Sequence, residues 1–182
     1  MYLHHPSQCN DGGLNLVSED VHWGRYQKIA WDYFRETYPN PLGNKDAENL
    51  IAFLLGITSH QVADISWHSL SGLKDGMIDM LSQTSFNGNW GNAHEYADFG
   101  GDILGMLEWN TTMLDEWYVP TKDLLNIFNA YYDGEDKGLS TNLIQSCALW
   151  LLAGRVAEQE LGPILYPAIA VEAPLFLDEI QV

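Results

Sequence analysis

The chain has 182 residues, enough for one domain with a sizeable core, and a formal net charge of −17 from 25 acidic and 8 basic side chains. That balance lacks the basic footprint of a duplex-binding protein, so no stable nucleic-acid partner held by phosphate contacts is expected. Two cysteines, Cys9 and Cys147, imply no disulfide framework and leave one bridge between them open.

Residues 1–21 read as irregular, with Pro6, Gly12 and Gly13 among turn formers, and the ragged opening MYLHHPSQCNDGG suggests a partial chain. His4 and His5 lie in that opening and receive no role. Neither a secretory signal nor an apolar run of ~18 residues stands out, so the chain as given reads as soluble. Ser18, Glu19 and Asp20 supply capping chemistry before His22-Trp23, and Gly24 to Tyr38 reads as an amphipathic helix with Ile29, Tyr33 and Phe34 inward. Pro39-Asn40-Pro41 stops it. Asp46 to Leu70 follows as the central helix, apolar nearly all round and therefore expected to be buried, with Gly56 as its weak point. Gly72 to Met80 suits a short helix, Thr84 to Asn92 a loop, and Ala93 to Trp117 a long helix. Pro120 opens a helix to about Tyr132, residues 133–136 turn the chain, and Ser140 to Glu160 forms a last apolar helix with Cys147, Trp150 and Leu151 inside. The tail from Pro163 is broken by proline. No strand alternation or internal repeat is present, so the predicted class is all-α, in a single helical domain over residues 1–182.

The central helix carries the chemistry. His60, Asp64 and His68 recur every fourth residue, and in a helix such positions lie only about 40° apart, so two imidazoles and a carboxylate share one face. Polar groups turned inward from an apolar helix need a partner, and a metal ion suits all three. His60 and His68 are about 12 Å apart along the axis, which favours two ions with Asp64 between them over one ion held by both. His94 and Asp98 form a second pair at the same spacing, on the helix after the next connection, where they can meet His68. Three protein ligands with an open fourth position is the pattern of a catalytic zinc site. His22 is a further candidate, in a loop that can fold over His60 and Asp64. Asp102 continues the His94 stripe as an acid that could orient a ligand. Asn110-Thr111-Thr112 matches a glycosylation acceptor, relevant only in a secreted chain.

The segments FLLGITSHQVADISWHSL, AHEYADFGGDILGMLEWN and WYVPTKDLL, with HPSQCNDGG, VSEDVHW and ETYPNPL ahead of them, are collinear with one known family. From about His5 to Phe176 the chain resembles the catalytic domain of the glycosylphosphatidylinositol-specific phospholipase D family, within the zinc-dependent phospholipase C superfamily. The resemblance implies a helical fold with up to three zinc ions in a cleft, similar to single-strand nucleases of the same fold. It implies that His22, His60 and Asp64 ligate a first zinc, that His68, His94 and Asp98 form the full set for a second, and that Asp64 bridges toward a third. It further implies hydrolysis of the phosphodiester joining inositol glycan to phosphatidic acid, with His60 and Asp64 among the catalytic residues. The substrate is then a glycosylphosphatidylinositol-anchored protein or a related phospholipid, met by peripheral membrane contact in an extracellular, secreted setting. The family's remaining ligands, an amino-terminal residue with a nearby His and an upstream Asp, have no counterpart here, and the family domain continues beyond Val182. One or two zinc ions are therefore expected in this chain, and the alternative is an inactive isoform that keeps the helical scaffold and partial zinc binding.

Overall fold

The computed structural model describes residues 15–68, 76–98, 117–150 and 152–154, with positions 161 and 164. The described residues are all-helical, with no strand among them. The chain divides into two compact units, Met1–Gln61 with Leu114–Ala153 and Val62–Met113 with Gly154–Val182.

In the first unit, α1 (Asn15–Asp20) is a short helix where irregular chain was expected. Val17 and Val21, four residues apart, bury into the core and hold that turn, while Ser18 to Asp20 lie inside α1 and the N-cap of α2, Trp23, has no side-chain cap hydrogen bond. α2 (Gly24–Thr37) buries Tyr26, Ala30 and Phe34, a stripe of i, i+4 and i+8 positions. Ile29 and Tyr33, expected inward, flank that stripe and are only partly buried. The stripe packs on α6 (Thr121–Tyr131), whose Leu124, Ile127, Phe128 and Tyr131 are buried. Tyr26 stands 5.2 Å from the Phe128 ring and meets Tyr131 edge-on at 5.7 Å. Arg25 donates to the Tyr131 carbonyl at 2.9 Å, satisfying a free acceptor at the α6 C-terminus.

α3 (Lys45–Trp67) starts at Asn44, whose Oδ1 accepts from the amides of Asp46 and Ala47 at 3.0 and 3.3 Å. Ala47, Leu50, Leu54 and Ile57 face the core. The helix is not buried all round: Leu55 is 56% and Val62 64% exposed, because only one stripe meets the first unit's core. α3 also corrects the expectation that no run is long and apolar enough for a membrane. By length and composition this helix passes, as a core helix of a globular protein can. α7, residues 141–150, starts at Ser140, whose Oγ accepts from the Leu143 amide, and buries Ile144 and Cys147. Trp150, expected inside, is 55% exposed; six residues on from Ile144, it lies about 120° round the helix from that buried side chain. Cys147 is disulfide-bonded; Cys9 and Leu151 lie outside the described residues.

In the second unit, α4 (Met77–Thr84) begins later than predicted, after Gly76, and buries Ile78 and Leu81. The expected loop is shorter than predicted: Asn87 and Gly88, both at positive φ, turn the chain, and residues 90–98 form α5. Asn89 Oδ1 accepts from the Asn92 amide at 3.1 Å, which caps α5 ahead of the predicted start. Ala93 and Ala97 are its buried face. Trp117, the predicted end of that long helix, is not helical; residues 99–116 lie outside the described ones, as do 72–75 and the tail apart from 161 and 164.

Candidate metal centre

His22 lies in the turn between α1 and α2, and His60 lies on α3. Their Nε2 atoms are 3.2 Å apart, with ring centroids 5.2 Å apart. The His22 Nδ1 is 3.0 Å from the Glu19 carbonyl oxygen. A carbonyl only accepts, so the Nδ1–H donates there and the neutral ring keeps its lone pair on Nε2, facing His60. The Gln61 amide donates to the His22 carbonyl and fixes the turn from the α3 side. One turn further along α3, Asp64 is 7% exposed, and the donor atoms of His22, His60 and Asp64 lie within 4.8 Å of one another.

A second set forms where α3 ends. His68 follows the last residue of α3, its Nε2 3.8 Å from Asp64 Oδ1, and its ring centroid lies 4.7 Å from that of His94 on α5. His94 Nε2 lies 3.4 Å from Asp98 Oδ2, a contact that the i, i+4 spacing allows. His68, His94 and Asp98 each offer a donor atom within 4.8 Å of the others. Asp102 and Asn110 fall outside the described residues.

Residues 3–143 match the family described as zinc dependent phospholipase C. The chain belongs to the zinc-dependent phospholipase C family. Among the similar curated relatives are the phosphatidylinositol-glycan-specific phospholipases D of Homo sapiens, 39% identical over 97% of this chain and 21% of that protein, and of Dictyostelium discoideum, 40% identical over 93% and 18%. An uncharacterized Saccharomyces cerevisiae protein, YJL132W, is 27% identical over 78% of the chain. The chain spans about a fifth of the length of the phospholipase D relatives it matches. No solved structure matches.

The donor chemistry in this zinc-dependent phospholipase C chain fits zinc. Each set holds two imidazoles and a carboxylate, the nitrogen and oxygen ligands a borderline cation accepts. Separations of 3.2 Å between His22 and His60 and 3.4 Å between His94 and Asp98 approach the ~3.4 Å edge of a tetrahedron with bonds of ~2.1 Å.

Sequence reasoning missed the groups around the donors. Trp67 Nε1–H donates to Asp98 Oδ1 at 2.8 Å. Trp90 stacks on His94, nearly parallel at 13° and 4.8 Å. Trp90 precedes His94 by four residues, so the periodicity that paired His94 with Asp98 would have found it had α5 been started at 90 instead of 93.

Proposed function

We propose that this chain is the zinc-holding helical part of a phosphodiesterase that opens glycosylphosphatidylinositol anchors, hydrolysing the phosphodiester between the inositol glycan and phosphatidic acid. The observation that carries this reading is a pair of His-His-Asp sets, one along α3 and one where its end meets α5, inside a stretch similar to phosphatidylinositol-glycan-specific phospholipases D. Zinc, when bound, supplies a Lewis acid for the phosphoryl oxygens and lowers the pKa of water.

The side chains prepare for that chemistry. His22, locked by the Glu19 carbonyl, presents its Nε2 lone pair toward His60; His68, just past the end of α3, and His94 on α5 converge. Asp64 supplies a negative charge near both sets, which offsets the cost of gathering cations beside imidazoles. His60 and Asp64 are the groups we assign to the reacting phosphate, and one or two ions are the expected load. The buried, disulfide-bonded Cys147 supports an oxidising, extracellular setting. The charge of −17 lacks the basic footprint that a stably bound nucleic acid would need.

The test uses the full chain with added zinc and a glycosylphosphatidylinositol-anchored reporter in detergent-mixed vesicles. Release of the reporter with phosphatidic acid as the lipid product, abolished by a chelator, is expected. A chain that binds its zinc and releases nothing would sink the enzyme reading and leave a metal-binding scaffold.

A further inference from the structure

We propose that Trp67 is a positioning residue for the second donor set, holding Asp98 through its indole N–H so that the other carboxylate oxygen faces His68 and His94. The inference rests on reading that set as a metal site. Its basis is the split use of one carboxylate: Oδ1 accepts from Trp67 Nε1 at 2.8 Å, while Oδ2 lies 3.4 Å from His94 Nε2. The Asp98 side chain is 47% exposed, so packing alone leaves it free to rotate. A directional donor on one oxygen removes that freedom and aims the second.

The placement makes the constraint efficient. Trp67 is the last residue of α3 and directly precedes His68, so the same helix end that presents an imidazole also reaches to α5 and pins the carboxylate. His94 is held in its turn by the parallel face of Trp90. Phenylalanine would fill the same space as Trp67 without the N–H, which separates hydrogen bonding from packing.

Groups that orient a ligand from outside its coordination sphere cost roughly 10–100-fold in metal affinity when removed. The measurement is zinc affinity by competition with a chromophoric chelator on the full chain, for wild type, Trp67→Phe and His68→Ala. Expected is a loss of about 10-fold or more at one of the two sites in Trp67→Phe, with the other site and the far-ultraviolet circular dichroism unchanged. Wild-type affinity in Trp67→Phe, or an equal loss at both sites, overturns the proposal. Equal zinc content in His68→Ala and wild type overturns the metal reading itself, which is thereby told apart. If Trp67→Phe fails to fold, the wild-type Trp67 indole proton decides by nuclear magnetic resonance. Slow exchange and a shift on zinc addition support the hydrogen bond, and solvent-like exchange without a shift overturns it.

Discussion

His22 and His60 set two imidazole nitrogens 3.2 Å apart, a spacing at which facing lone pairs repel unless a proton or a cation lies between them. The Glu19 carbonyl has claimed the His22 Nδ1–H, so His22 Nε2 only accepts, and a metal-free His60 must turn its own N–H toward it. Two non-overlapping pairs of variants follow. His22→Ala and His60→Ala are expected to lose one bound zinc, His68→Ala and His94→Ala the other, and the double variant His68→Ala/His94→Ala no more than either single one. Zinc content after dialysis against a weak chelator reads this directly; four variants with wild-type zinc would remove both centres. The donors were legible because their signal is periodic. Trp67 was not: one tryptophan among seven carries no pattern, and its hydrogen bond spans 31 residues of chain, while Trp90 was lost with the start of α5.

Among the elements, α3 bears the heaviest structural demand, since its buried stripe joins the first unit's core while its polar stripe carries the donors. Leu54 is fully buried in that core. Leu54→Ala is expected to destabilise the chain by about 2–5 kcal/mol, measured by urea unfolding, through lost transfer energy and the cavity left behind. A change below about 0.5 kcal/mol would show that the helix is not anchored there. Long helices such as α2, α3 and α6 were readable within a few residues because apolar periodicity accumulates over several turns. α1 was not, because six residues just after Gly12 and Gly13 span too little chain for apolar periodicity to accumulate. α5 began early because Asn89 acts as a cap where composition suggested only a turn. The exposed flank of α3 was hidden from sequence too, since apolar residues on all sides of a helix do not say which of them the fold covers.

At the scale of the whole molecule, the all-helical class was legible from periodicity, whereas the tertiary pairing of phenols with carboxylates was not. Asp123, buried in α6, accepts from Tyr33 at 2.7 Å and from Tyr38 at 3.1 Å; Asp20 accepts from Tyr131 and Tyr132. Burial, then the neighbouring Asp123 charge, pushes the Tyr38 phenol well above its ordinary 10.0. Burial, then the hydrogen bond to Asp20, does the same for Tyr132. A group whose folded pKa is raised stabilises fully below its unfolded value and loses that stabilisation as pH climbs toward the folded one. Here the unfolded chain releases these protons near pH 10 while the folded chain keeps them, so stability is expected to fall above about pH 10. Urea midpoints at pH 9 and 11 measure the slope, and Tyr38→Phe is expected to make it shallower. A slope that Tyr38→Phe leaves unchanged would place the alkaline loss elsewhere.

Because His60 and Asp64 stand on one uninterrupted helix and His68 directly follows it, with its amide still bonded to the Asp64 carbonyl, the intervening positions are constrained in number more than in identity. Val62, Ala63, Ile65 and Ser66 are exposed and can exchange for other helix-formers. One inserted or deleted residue among them would swing everything downstream by about 100° and turn a donor out of line. Drift in this stretch is thus open to point replacement and closed to indels.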